Sequence, residues 1–270
     1  SNADDRELPH RLVNRLIGGG MATVTRDEGK VLSLLERNGV FLIGAALVGT
    51  LAFRAHANML SVAWASDAGT QDIDLAADNH YELALPRPRY PINLRQTILD
   101  SGMGFFEVPA LNRKQPSTSF KIRGRDFIVD VLAPMKGRET ARPVHLSDLG
   151  TYASPLRHLD YLLDDLQPAV LLYGHGIMVN VPAPGRFAIH KCVVSEKRPA
   201  AFAAKALKDR SQAEQVFQVL LENRPTDISL AYKAAKNQGE TFVSDFHAGL
   251  RLIDKAVATA VQEQIKNERA

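Results

Sequence analysis

Thr70-Gln71-Asp72-Ile73-Asp74-Leu75 is the stretch whose reading decides the fold. A strand turns successive side chains to opposite faces, so Asp72 and Asp74 share one side while Ile73 and Leu75 take the other. Residues at i and i+2 have their Cα atoms about 6.5–7 Å apart along that face, a span that converging carboxylate side chains close onto one or two hard cations. The arrangement is magnesium-like. Asp-x-Asp pairs are also common at solvated strand ends, so the flanking sequence must discriminate.

Downstream, Phe120-Lys121-Ile122-Arg123 and Phe127-Ile128-Val129-Asp130-Val131-Leu132 flank a Gly124-Arg125 turn and read as a hairpin ending before Pro134. Asp130 falls mid-strand on the face of Ile128 and Leu132, where a buried, unpaired carboxylate is costly unless a cation or donor meets it. An arginine alone would satisfy it. Upstream, Val40 to Val48 reads as a buried strand running into Gly49-Thr50, followed by a helix from about Leu51 to Leu60. Three strand carboxylates beside a glycine turn suit phosphoryl or nucleotidyl transfer. Two metals about 3.5–4 Å apart can stabilise the attacking and leaving oxygens, and main-chain amides can hold the outer phosphates.

Further out, Thr25 and Glu28 fit a capping box for a helix over Arg26 to Arg37, which Asn38-Gly39 stops. A proline-rich stretch from Pro86 to Pro116 holds one helix near Leu94 to Leu99. Between Pro143 and His190 short apolar runs predict small strands and one helix near Leu156 to Leu166. From Phe187 the pattern turns Ala-rich and Lys-rich, with helices expected at about 188–197, 200–222, 227–237 and 243–267. A strand-rich middle before a helical tail argues for an α+β fold with two lobes. The expected domains are an N-terminal helical segment over 1–39, an α+β domain over 40–186 and a helical lobe over 187–270. Ser1-Asn2-Ala3 reads as a cloning scar, so the N-terminal segment is expected to be truncated.

Lys and Arg number 33 against 30 Asp and Glu, a net charge of +3 that allows a polyanionic partner without demanding one. Cys192 is the only cysteine, which excludes an internal disulfide and cysteine-rich zinc sites and makes a cytoplasmic location the expectation. No run approaches the roughly 18 apolar residues of a membrane helix. Gly18-Gly19-Gly20 lacks the Lys-Ser/Thr of a P-loop, and no His-x-x-x-His pair or Gly-x-Ser-x-Gly elbow occurs. Gly174-His175-Gly176 reads as a turn with a surface histidine, and Cys192 as a small core residue. Arg87, Arg89, Arg113, Lys114, Lys121, Arg123 and Arg125 fall near the acidic strands, as a solvated rim or a guide for a polyphosphate or nucleic acid.

Gly49-Thr50 at a strand-to-helix turn, Thr70-Gln71-Asp72-Ile73-Asp74 and Phe127-Ile128-Val129-Asp130 together resemble the DNA polymerase beta-type nucleotidyltransferase superfamily. The chain is most similar to a bacterial branch of nucleotidyltransferase-fold proteins. Matching stretches include Val48-Gly49-Thr50-Leu51-Ala52-Phe53, Pro155-Leu156-Arg157-His158-Leu159-Asp160-Tyr161-Leu162, Asn180-Val181-Pro182-Ala183-Pro184, Arg186-Phe187-Ala188-Ile189-His190-Lys191 and Lys205-Ala206-Leu207-Lys208-Asp209. In one departure from the wider superfamily, twenty-one residues separate Gly49-Thr50 from Asp72, and Thr replaces the usual Ser.

The resemblance implies a nucleotidyltransferase-type mixed sheet with flanking helices and a C-terminal helical lobe. It implies that Asp72 and Asp74 bridge two Mg2+ ions, with Mn2+ as a substitute, and that Asp130 completes the catalytic metal's shell. Gly49 and Thr50 would cradle the outer phosphates, and Lys191, Lys208 and Asp209 would face the triphosphate from the helical lobe. The implied reaction moves an NMP from an NTP to a hydroxyl acceptor (RNA, protein or small molecule) with release of pyrophosphate. The alternative is a non-catalytic nucleotide- or RNA-binding module. A partner protein of a toxin-antitoxin or defence system would add an assembly but no new chemistry.

Overall fold

The computed structural model describes residues 3–65, 72–79, 91–110 and 112–267, with side chains from Glu7 onward. Thr70, Gln71, Arg87 and Arg89 lie outside the described residues. Two units emerge, Ser1–Ala63 with Gly69–Val181 and Trp64–Ala68 with Pro182–Ala270.

The first unit begins with α1 (Ala3–Gly18) and α2 (Arg26–Arg37). The capping box of α2 is formed: Glu28 N donates to Thr25 Oγ1 at 3.3 Å, and Thr25 N donates to Glu28 Oε2 at 2.6 Å. Glu28 is fully buried because Arg54 NH1 also reaches both of its carboxylate oxygens at 3.0 Å. Instead of the expected strand over Val40 to Val48, a 3₁₀ turn (Val40–Ile43) precedes a short β1 (Ala46–Val48). Left-handed Gly39 and Gly44 bracket the turn, and Asn180 Nδ2 donates to the carbonyls of Phe41 and Ala45, replacing the ladder partners a strand would have used.

The chain continues through α3 (Gly49–Leu60), β2 (Asp72–Ala76), α4 (Leu94–Leu99), β3 (Phe105–Glu107), β4 (Ser119–Ile122) and β5 (Ile128–Pro134). There follow β6 (Val144–Leu146), β7 (Thr151–Leu156), α5 (Leu159–Leu163) and the pair β8 (Leu166–Leu171) and β9 (Ile177–Pro182). The helix expected over Leu156 to Leu166 shrinks to α5, because Pro155 and Leu156 belong to β7 and pair with β5. Strand β5 also runs through Pro134 rather than ending before it, which costs one donor near the strand's end. Gly174-His175-Gly176 is the turn joining β8 to β9.

The main sheet runs β1-β2-β5-β4-β3, with β7 joining β5 beyond β4 and β6 edging β7. Strands β2 and β7 are parallel to β5 while β4 is antiparallel, so the sheet is mixed. One face is dry: Ile73, Leu75, Phe120, Ile122, Val129 and Val131 are all buried. Helix α3 packs against β1, β2 and β8, with every side chain from Thr50 to Ala57 buried. Burying each large apolar side chain there stabilises the fold by about 2 kcal/mol. The opposite face stays half-open at Asp72, Asp74, Ile128 and Asp130, and this alternation is what aims the acids outward.

The second unit contains α6 (Pro184–Lys197), α7 (Ala203–Asn223), α8 (Pro225–Lys236), α9 (Glu240–Leu250) and α10 (Lys255–Asn267). The helix expected over 243–267 is two. Asp254 ends the interruption by accepting from Ala256 N and Val257 N as an N-terminal cap for α10. Cys192 is buried on α6, and burial pushes its thiol well above the ordinary cysteine range, as suits a core residue.

Candidate active site

The parallel register of β2 and β5 sets Asp74 beside Asp130 and Asp72 beside Ile128. Paired positions on neighbouring strands project from the same face, about 4.8 Å apart. Asp74 has Val48 of β1 on its other side, and Asp130 has Ser119 of β4. A single row therefore crosses four strands as Val48, Asp74, Asp130 and Ser119, with Asp72 one step down β2. All three carboxylates are half-buried.

Ser119 Oγ donates to Asp130 Oδ1. The donor that Asp130 needs is thus a hydroxyl, not an arginine, and it holds the carboxylate on the open face. Sequence reasoning passed over Ser119, although counting back from a turn centred on Gly124-Arg125 pairs it with Asp130.

Gly49 and Thr50 sit where β1 becomes α3. Gly49 has φ +64°, and a Cβ placed there would collide with Asp74 Oδ2 and approach Asp74 Cγ to 3.3 Å. The turn needs glycine on both counts. The first turn of α3 carries no acidic residue and no side-chain cap, so its positive dipole end is not neutralised from within the helix. Thr50 is buried in that first turn, at 7% exposure.

The donor set at the acidic row is all oxygen, as a hard divalent ion requires. Among the described residues no group of three or more His, Cys, Asp or Glu side chains is placed to hold a metal ion, so Asp72, Asp74 and Asp130 do not form a ready three-acid site. Magnesium is ordinarily held by one or two carboxylates together with waters and substrate phosphates, so the adjacent Asp74 and Asp130 fit such an ion without a third protein ligand already in place.

Lys191, Lys208 and Asp209 belong to the second unit. Lys191 Nζ donates to Asp209 Oδ1 at 2.7 Å and lies 5.2 Å from the centre of the Phe187 ring. Arg198 Nε donates to the other oxygen of Asp209 at 2.5 Å. Burial alone would raise the Asp209 carboxyl, but the Lys191 and Arg198 charges and hydrogen bonds outweigh it and hold the group below the usual carboxylate range. This triad ties α6 to α7. Lys208 is half-buried next to it in sequence.

A family model described as nucleotidyltransferase matches residues 26–237, a span that contains every residue of the acidic row and of the Lys191 triad. No curated relative matches the chain. Among the described residues no helix is long and apolar enough to cross a membrane.

Proposed function

The chain belongs to this nucleotidyltransferase family, and from that premise we propose that it is a magnesium-dependent enzyme of the polymerase beta type, moving an NMP from an NTP to a hydroxyl acceptor. The observation that carries the reading is the side-by-side register of Asp74 and Asp130 on the open face, next to the Gly49 turn.

In this reading Asp74 and Asp130, with Asp72 one step down β2, would hold magnesium, which when bound would offset charge on the α-phosphate and the leaving oxygen. The main-chain amides at Gly49 and Thr50 bind the outer phosphates, favoured by the α3 dipole. The acceptor oxygen attacks the α-phosphorus as the bond to the β-phosphate oxygen breaks, and pyrophosphate leaves. Asp130, kept in place by Ser119, stands nearest the β4 edge and takes the proton of the acceptor hydroxyl. Positioning and charge neutralisation supply most of the rate. The proposal rests on the first unit alone.

Calorimetric titration of each of the four NTPs with magnesium, into wild type and into Asp72→Asn/Asp74→Asn, is the test. Binding that needs both metal and aspartates, followed by pyrophosphate release on addition of an acceptor, is the expected outcome. Binding with no pyrophosphate release under any acceptor would identify a nucleotide-binding module instead, and absence of binding by the folded protein would overturn the reading.

A further inference from the structure

Helix α1 carries Leu8, Leu12 and Leu16 at a spacing of four residues, which stacks them on one face, and all three are exposed, at 52%, 48% and 43%. Val13 points away from that stripe and is buried, and the His10 ring meets the His175 ring edge-on with centres 5.9 Å apart. The helix is thus seated on the first unit by a different side, and the leucine stripe is left facing outward.

The strands beside it show the same excess of apolar surface. Pro168 and Val170 share one face of β8, as alternate positions of a strand do, and both are exposed, as is Met178 of β9. The outer face of a strand pair whose other face packs on a helix ordinarily carries polar side chains. Between α1 and these strands runs a groove of about 480 Å3, lined among others by Leu12, Leu16, Met59, Val170, Leu172 and Met178. Of the large apolar side chains exposed in the first unit, Leu8, Leu12, Leu16, Ile17, Val170 and Met178 lie on these elements, and among the described residues only Leu42, Tyr152 and Leu156 lie elsewhere. Such clustering marks a contact surface.

The charge pattern of α1 identifies what covers it. Up to Glu7 the helix sequence holds Asp4, Asp5 and Glu7 against Arg6, and from His10 to Gly18 it holds Arg11 and Arg15 with no acid. Glu7, Arg11 and Arg15 are exposed, and at 100° per residue they fall on the flank of the leucine stripe away from Val13. A second α1 laid antiparallel sets the acidic end of each helix beside the basic end of the other, twice over, and opposes the two helix dipoles. A parallel arrangement would set like ends together. With Leu12 near the two-fold axis, Leu8 of each helix reaches Leu16 of the other and Glu7 reaches Arg15, while the long side chain of Arg11 keeps its charge in water. The patch is its own complement, as a two-fold interface requires.

We propose that two copies of this chain pair through α1 and β8–β9, the helices antiparallel and the α1 leucines of each copy seated in the groove of the other. No residue of the acidic row lines that groove, so the pairing stands apart from nucleotidyl transfer.

Sedimentation equilibrium of the full chain from about 1 to 100 µM is the test. The patch is small beside those of obligate dimers, so wild type shows a monomer-dimer equilibrium in the micromolar range. Leu12→Asp and Met178→Lys each weaken dimerisation by roughly tenfold or more. Both side chains are about half exposed, so the circular dichroism of the variants matches that of wild type. Glu7→Arg and Arg15→Glu each weaken dimerisation by roughly threefold or more, most clearly at low salt, and Glu7→Arg/Arg15→Glu restores it. That rescue separates an antiparallel pair from a parallel one and from unspecific adhesion. A wild type that stays monomeric throughout the range overturns the proposal, as does dimerisation untouched by Leu12→Asp and Met178→Lys, or open-ended association beyond the dimer. A dimer lost in Leu12→Asp but indifferent to both charge reversals overturns the antiparallel arrangement.

Discussion

The Asp74 carboxylate lies against the α-carbon of Gly49, at the turn where β1 becomes α3. The acid proposed to hold the metal and the amides proposed to meet the phosphates are thereby set by one contact. Gly49→Ala forces a side chain into that contact at a positive φ. It should destabilise the fold by about 1–2 kcal/mol and displace Asp74, reducing pyrophosphate release by far more than the stability change explains. Urea unfolding beside a turnover assay separates the two effects.

Ser119→Ala removes the hydroxyl from Asp130 without changing the strand pairing. Hydrogen bonds to charged groups contribute about 1.5–3 kcal/mol, so turnover should fall by roughly 10- to 100-fold while the calorimetric Kd for NTP stays put. Ser119→Thr keeps a hydroxyl at the same place and should restore much of the rate. A uniform loss in both variants would mark a structural role only.

Much of this site is legible in the chain, and where it is not the reason is distance in sequence. Both limits of α2 are marked locally, by Thr25 with Glu28 and by Asn38. Alternation along β2 and β5 puts Ile73 and Val129 in the core and the aspartates opposite, as period two demands. Val40 to Val48 reads otherwise because an apolar run suits a strand or a buried turn equally, and the deciding hydrogen bonds come from Asn180. The role of Lys191 is likewise invisible locally, since its partner Asp209, shared with Arg198, comes from the next long helix.

Glu28 serves the cap of α2 and the ion pair with Arg54 at once, in a place closed to water. Glu28→Gln keeps a side-chain oxygen for the cap but removes the negative charge that faces the Arg54 guanidinium. Removing one member of a buried pair costs about 3–5 kcal/mol, so a clear drop in the midpoint of chemical unfolding is expected. A change below about 1 kcal/mol would mean that Arg54 finds another partner.

Asp209 gives the second unit a definite acid sensitivity. Its folded carboxyl titrates below the unfolded value of about 3.9, so its contribution is full above that pH and is lost as pH falls through the folded value. Asp209→Asn should therefore be less stable than wild type by about 3 kcal/mol at neutral pH. The gap should narrow only in strong acid. Urea unfolding of both proteins across the acid range reads this directly, and a gap that closes already near neutrality would contradict it.

The chain leaves the sheet unit after Ala63, with Trp64 and Ala65 in the helical unit, and returns for the strand that carries Asp72 and Asp74. Ala65 N is held there by Gln215 Oε1 of α7 at 2.7 Å. The two units are consequently not separable by a single cut. A fragment ending at Val181 would retain every strand of the acidic row yet lose the Gln215 contact of Ala65. Exchanging the helical unit for another would therefore take two junctions in the chain, one on each side of residues 69–181.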